Sequence, residues 1–299
     1  MKELRDYRRF MKKEEMHKSL NSLIGILTGI VADNTIDEAE ENELYNWYSL
    51  HEHLLKVFPF SDILPAIKLS FQDGILDIEE ANNILWLCHK FTDTNQEDLY
   101  FDIITSQIQQ LEGILHGIVS DGVISPVEVS NLSDWLNDNE HLAGTYPFDE
   151  VYSLLLAAKE DGTISSDEQN MLKAFFSTFV DTTESFNIHD ADVLALQKQY
   201  SIGGICAVCP EITFTGKTFC FTGVSKKASR NEIAAVIENA GGIYNDRVTT
   251  DTDYLIVGAG GNPCWAYSCY GRKVEKAMDI RKNGGKLIIV HEYDFWDEI

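Results

Sequence analysis

Four times in this chain an Asp is followed by Gly or Asn, any residue, an Ile or Leu and, seven positions after the Asp, a Glu: Asp33/Glu40, Asp73/Glu80, Asp121/Glu128 and Asp161/Glu168. Carboxylates are hard oxygen ligands, and Asp-Gly-x-Ile ahead of a Glu is the second half of a calcium-binding loop. The first half is missing. The two earlier ligand positions would be Gly117 and Val119 before Asp121, and Ala157 and Lys159 before Asp161, none of which carries a carboxylate. The eight acids are therefore candidate ligands for a divalent cation, set against the simpler expectation that they make turns and helix caps. His53 and His141, preceded by Glu52 and Glu140, are a second set of metal-ligand types, better read as structural. Cys206-x-x-Cys209 together with Cys264 and Cys269 has the thiolates of a four-cysteine zinc site, yet the two pairs are expected at opposite ends of a sheet. No nucleophile elbow, adenylation lysine, P-loop or strand-borne carboxylate set is present. A non-catalytic protein without a cofactor is expected.

These residues need elements to position them. The four Asp residues are 40, 48 and 40 apart, so a larger unit recurs every 88 residues. Leu23/Leu111, Gly25/Gly113, Gly29/Gly117, Trp47/Trp135, His53/His141 and Pro59-Phe60/Pro147-Phe148 match at that offset, which marks an internal duplication. Apolar residues at helical spacing, such as Leu111, Ile114, Leu115 and Ile118, precede each Asp. Ser125 with Glu128, and Ser165 with Glu168, have the spacing of a capping box that starts the next helix. Each repeat thus reads as two helical hairpins, with Trp47 and Trp135 packing inside them.

The Asp-Gly-x-Ile-Ser-x-x-Glu turn between apolar helices resembles the tellurite-resistance TerB-like family of small helical domains, over residues of about 20–180. That resemblance implies an acidic scaffold with affinity for cations through the eight turn carboxylates, and an association with metal or stress responses.

Charge divides the chain. Its net −24 splits into 11 Lys/Arg against 12 Asp/Glu on residues 211–299 and 13 against 36 on residues 1–210, with an excess of three positive charges on residues 1–18. Residues 19–210 therefore carry −26 and repel nucleic acid, whereas the C-terminal part can hold a local basic patch. Six cysteines in 299 residues do not make a disulfide framework, and no apolar run is long enough for a signal peptide or a membrane span. A cytoplasmic protein with no membrane partner is expected. The domain plan is a charged segment (1–18), a duplicated acidic helical region (19–188, repeats of about 19–106 and 107–188), a linker (189–214) and an α/β domain (215–299).

In the last part the pattern changes. "GKTFCFTG" reads as a strand, "SRNEIAAVIENAGG" as a helix capped by Ser229 and ended by Gly241-Gly242, "GIYNDRVT" and "TDYLIVG" as two strands, "GRKVEKAMDIRKNGG" as a helix, "KLIIV" as a fourth strand and "EYDFWDEI" as a last helix. The order βαββαβα, with buried apolar strands, predicts a small α/β domain around a four-stranded, mainly parallel sheet. The whole chain is then multidomain: all-α hairpins followed by α/β.

These motifs, in order and with the late Trp296, resemble the BRCT domain. The resemblance is to the single-copy type of bacterial NAD-dependent DNA ligases and of the large subunit of replication factor C. It implies that Thr222 and Gly223 at the end of the first strand and Lys273 in the second helix hold a phosphate, with Lys276 one turn on. Arg230, early in the first helix, is the mark of the DNA-binding type. Hydroxyl and backbone N–H supply neutral hydrogen bonds, and Arg and Lys supply charge. The implied partner is a 5′-phosphorylated DNA end, with Lys226, Lys227, Arg247 and Arg272 as further backbone contacts. Trp265, Tyr267 and Tyr270 either stack on a terminal base or pack their loop. The alternatives are a phosphopeptide ligand, an adaptor whose acidic region engages a basic protein, and a cation-responsive stress protein. The expected context is DNA repair, replication or defence against foreign DNA, with an unknown protein partner for the helical region.

Overall fold

A computed structural model of the protein describes residues 12–72, 74–94, 100–158, 164–200, 206, 211–259 and 270–299. The chain falls into two compact units, one within residues 12–202 and one within 203–299. The first is helical: α1 (Lys12–Ile30), α2 (Glu38–His51), α3 (Phe60–Ser70), α4 (Ile78–Thr94), α5 (Ile103–Val119), α6 (Pro126–Asp138), α7 (Phe148–Ala158), α8 (Ser166–Phe176) and α9 (Asp190–Tyr200). Helices α2, α3 and α4 begin 88 residues before α6, α7 and α8, so the duplication legible in the sequence is a duplication of structure. Two stretches differ from the domain plan: residues 12–18 open α1, and residues 190–200 of the expected linker form α9.

Each repeat buries the stripe its periodicity specifies. In α1, Leu20, Leu23, Ile24, Leu27 and Ile30 join Leu44, Trp47, Phe60, Ile63, Ile67, Ile84 and Cys88 in one core. Fully burying each large aliphatic side chain contributes about 1.5–3 kcal/mol. The turns then start the next helices by local hydrogen bonds. Ser125 accepts from Glu128 N while Glu128 accepts from Ser125 N, and Ser165/Glu168 and Asp37/Glu40 do the same. These reciprocal caps satisfy backbone donors that the first helical turn leaves open.

The two repeats meet at glycine. A Cβ built on Gly25 would lie 2.2 Å from Gln110 O and 2.7 Å from Gly113 Cα, and one on Gly117 would lie 2.4 Å from Ile26 O and 2.9 Å from Gly29 Cα. Gly25 faces Gly113 and Gly29 faces Gly117, so α1 and α5 run in the same direction with their backbones in contact. Asn21 Nδ2 donates to Gln109 Oε1 at 2.8 Å beside this seam, between residues exactly one repeat apart in the sequence. Both helices end toward the same pole, which brings the Asp33 and Asp121 turns into one electrostatic neighbourhood.

The second unit is β1 (Thr218–Thr222), α10 (Arg230–Asn239), β2 (Ile243–Tyr244), β3 (Tyr254–Val257), α11 (Arg272–Lys282), β4 (Ile288–His291) and α12 (Glu292–Asp297). The sheet order is β2-β1-β3-β4 and every pairing is parallel, with Phe219 opposite both Tyr244 and Tyr254. Strand β1 is central and all but its first residue is buried, as a parallel strand covered on both faces requires. One face packs Phe219, Phe221 and Ile256 against Ile233, Ile237 and Phe295. Cys220 points the other way and is also fully buried. No helix among the described residues is long and apolar enough to cross a membrane.

Candidate phosphate site

Strand β1 ends at Thr222, and Gly223 follows with φ +87°, a conformation open to Gly and strained for other residues. The chain therefore turns sharply at the carboxyl edge of the sheet, where ligands of open α/β folds bind. Two helices begin beside this edge. Ser229 and Glu232 cap α10 reciprocally, which sets Arg230 as its first residue. Gly271 precedes α11, placing Lys273 in the first turn.

Both cations reach back to β1. Lys273 Nζ donates to Phe221 O at 2.8 Å, and Arg230 Nη2 donates to Gly223 O at 3.3 Å with its guanidinium 5.6 Å from the Phe221 ring centroid. The two side chains bracket Thr222. Their convergence shows in Cys220: burial pushes its thiol up, while Lys273 and Arg230 both act to lower it. Among the described residues neither cation is ion-paired. By contrast Lys217 is held by Asp253 at 2.7 Å and Arg272 by Glu275 at 2.9 Å. Asp246 lies close enough to act on Cys220 and on Tyr244, opposing the cations, and sequence reading did not single it out.

The remaining sequence candidates fall elsewhere on the unit. Lys276 is exposed one turn along α11, and Arg247 is exposed in the connection from β2 to β3. Lys227 Nζ sits over the rings of Tyr293 and Trp296, at 5.6 and 5.9 Å, so it faces α12. Lys226 has an exposed side chain and a backbone N–H bound to Glu292. Tyr270 is fully buried, a packing residue with no face left for a base. Trp265 and Tyr267 lie outside the described residues, as do Cys209, Cys264 and Cys269. Burial pushes the Cys206 thiol up to about 12.

Glu292 is the residue that sequence reading missed. It is fully buried at the start of α12 and accepts from Lys226 N at 3.0 Å, Ala259 N at 2.9 Å and Ser225 Oγ at 3.4 Å. One carboxylate thus ties the loop after β1 to the loop after β3, and so holds the ground on which Gly223 turns. Its signal was faint, since an acid in a helix's first turn is ordinarily read as a dipole partner.

In the helical unit, the candidate cation ligands have local partners. Asp33 accepts from Thr35 N and Oγ1, Asp121 from Val123 N, and Glu40, Glu80, Glu128 and Glu168 from the backbone N–H three residues earlier. Asp73 and Asp161 lie outside the described residues. Among the described residues no group of three or more His, Cys, Asp and Glu is placed to hold a metal ion. His53 Nε2 lies 3.0 Å from Glu15 Oε1, and His141 Nε2 lies 2.6 Å from Gln107 Oε1; Glu52 takes the hydroxyl of Tyr48. A buried pair that the sequence did not announce, His116 Nε2 and Glu43 Oε1 at 2.8 Å, docks the segment at Phe186 and Asn187, whose N–H groups donate to Glu43.

Residues 209–288 match the family model of the BRCA1 C Terminus (BRCT) domain. Curated relatives are DNA ligases. That of Fervidobacterium nodosum is 42% identical over 78 residues, 26% of this chain and 10% of the ligase. The Methylobacterium radiotolerans ligase is 29% identical over 130 residues, 43% of this chain and 14% of the ligase, and the Chlamydia caviae ligase 32% over 120, 39% and 16%. The chain therefore spans only a small fraction of the length of the ligases it matches. No solved structure matches. With the parallel β2-β1-β3-β4 sheet, its flanking helices and the turn at Thr222-Gly223 in place, the segment at 209–288 is a BRCT domain.

Proposed function

We propose that this protein recognises 5′-phosphorylated DNA ends through Thr222, Gly223, Arg230 and Lys273 of its BRCT domain, without catalysis, and recruits a second protein through its acidic helical unit. One observation carries the DNA half of the reading. Lys273 and Arg230 converge on the edge of β1 while hydrogen-bonded to neutral carbonyl oxygens, so their charge is available to an anion. A phosphate oxygen would replace neutral acceptors with charged ones, and charge-assisted hydrogen bonds are roughly twice as strong. Lys276 and Arg247, exposed elsewhere on the same unit, are further cations that a DNA backbone could meet. The similarity to ligase BRCT regions supports a context of DNA repair or replication. The −26 on residues 19–210 repels DNA and suits that region to a basic protein.

Fluorescence anisotropy of the full chain with duplexes that differ only in 5′-phosphate or 5′-hydroxyl tests the proposal. The expected result is a phosphate preference of about tenfold or more, in keeping with about 1.5–3 kcal/mol for a charged hydrogen bond, abolished by Lys273→Ala. Equal weak binding to both duplexes would overturn it and turn attention to protein ligands of the same edge.

A further inference from the structure

Beside the phosphate site the second unit exposes an aromatic ring. Among its described residues Tyr293 is the only exposed Phe, Tyr or Trp, at 43%. Sheet register fixes where it lies. Thr222 is paired with Val257 and Val257 with His291, so His291 stands level with Thr222 at the carboxyl edge, two strand spacings or about 10 Å across the sheet. His291 caps α12 by accepting from Tyr293 N at 3.3 Å, and the two rings meet with centroids 4.9 Å apart. Tyr293 is thereby held at the edge where β1 ends.

The loop after β1 joins the two places. Glu292 holds Lys226 N at 3.0 Å, and the next residue, Lys227, lays Nζ over the Tyr293 ring at 5.6 Å. Ala228 packs on the core that Phe295 and Trp296 share, and three residues separate Lys227 from Arg230, so their Cα atoms are at most about 11 Å apart at 3.8 Å per residue. Trp296, the second ring under Lys227, is partly buried in that core, which leaves Tyr293 as the open one. No ion pair among the described residues engages Lys227. An open aromatic ring beside a cation is the pairing that holds single-stranded nucleic acid, the ring taking a base and the cation its backbone. Asp294 and Asp297 follow Tyr293 on α12 and disfavour phosphate there, so the backbone of a bound strand belongs on the loop side, with Lys226 and Lys227.

We propose that Tyr293 is the stacking platform for the base of the 5′-terminal nucleotide whose phosphate occupies the site of Thr222, Arg230 and Lys273, with Lys227 on the adjoining backbone, and that the protein selects ends on which this nucleotide is unpaired. Charge makes that selection. With the phosphate at β1 and its base on Tyr293, a paired base would carry the complementary strand onward in the same direction, over Asp294 and Asp297, where its phosphates are repelled. An unpaired nucleotide brings only its own phosphate, and it turns onto the ring without the cost of opening a base pair. This preference rests on the phosphate recognition proposed above and names the class of end that it selects.

The test uses the full chain and fluorescence anisotropy with 5′-phosphorylated DNA probes of matched sequence: a 5′ overhang, the same overhang with an abasic terminal nucleotide, a blunt duplex, and a recessed 5′ end under a 3′ overhang. Expected is a preference of about tenfold for the intact 5′ overhang over the other three, the order of one stacked base, lost in Tyr293→Ala and kept in Tyr293→Phe. Lys273→Ala is expected to weaken all four alike. Circular dichroism verifies folding, and should Tyr293→Ala unfold, the abasic probe makes the same comparison on the unaltered protein. Equal binding of the intact and abasic overhangs, a preference for the blunt or recessed end, or a Tyr293→Ala variant that keeps the wild-type preference would each overturn the stacking site and leave phosphate recognition standing. A 5′-hydroxyl overhang bound as tightly as the phosphorylated one would overturn phosphate recognition itself, and the stacking site with it.

Discussion

At the scale of single residues, the proposed site depends on a side chain that does not touch it. Glu292 has no exposed surface and gives its two carboxylate oxygens to loops that follow β1 and β3. Removing it leaves the part-buried N–H groups of Lys226 and Ala259 without their acceptor, and an orphaned donor costs about 1–3 kcal/mol when fully buried and less where water reaches it. Glu292→Ala is expected to destabilise the BRCT unit by about 2 kcal/mol or more in urea unfolding, and Glu292→Gln by less, because one oxygen acceptor remains. An equal effect of the two substitutions would mean that packing, not hydrogen bonding, is what Glu292 supplies. Thr222 and Gly223 were legible from their place after an apolar run. Glu292 was not, because its partners lie 33 and 66 residues away and nothing local marks them.

At the scale of elements, the α1–α5 pair reverses a rule of helix propensity. Gly in an exposed helix interior costs roughly 1 kcal/mol relative to Ala, so Gly→Ala ordinarily stabilises. Here an added methyl at Gly117 would meet Ile26 O at 2.4 Å, and backbone cannot step aside as a flexible side chain can. Gly117→Ala is expected to lower stability by about 1–3 kcal/mol, the usual cost of overpacking, read as a fall in the urea midpoint at unchanged slope. A gain in stability would show that the helices separate without penalty. The glycines at positions 25, 29, 113 and 117 stood out in the sequence as matched pairs, and the four-residue spacing put each pair on one helix face. Which face met which could be decided only by packing.

At the scale of the whole molecule, duplication and charge act together. Because α1 and α5 run parallel, the turns that follow them share a pole. Burial, with Asp33 and Asp121 nearby, pushes Glu40 up to about 8 and Glu128 up to about 7. A carboxyl whose folded value lies above its unfolded one binds more protons in the native state, so its contribution is greatest at low pH and is lost as pH rises through the folded value. Stability of the helical unit is therefore expected to fall between about pH 5 and pH 8. Glu40→Gln/Glu128→Gln should flatten that fall and stabilise the protein at pH 8 by at least about 1 kcal/mol, since one pKa unit corresponds to about 1.4 kcal/mol and Gln can still complete a capping box. Parallel pH profiles for the variant and the wild type would contradict it.

Much of this architecture is local and was therefore readable from the chain alone. Hydrophobic periodicity marked the helices, the spacing of Asp and Glu marked the turns and capping boxes, and the 88-residue offset marked the repeats. The order of strands and helices, with an apolar run closed by Thr-Gly, was enough to resemble BRCT. Each of these signals lies within a few residues, or in a comparison of two stretches of sequence, and needs no knowledge of what packs on what. Tertiary structure alone decided the rest. It placed Lys273 and Arg230 on either side of Thr222, although 43 positions separate the two cations in the sequence. It buried Tyr270, turned Lys227 toward α12, clamped two loops with Glu292 and brought the acidic turns of two repeats to one pole. The physical reason is that periodicity and caps express each residue's preference for its neighbours along the chain, whereas a site is made by burial and charge among residues that only the closed fold brings together.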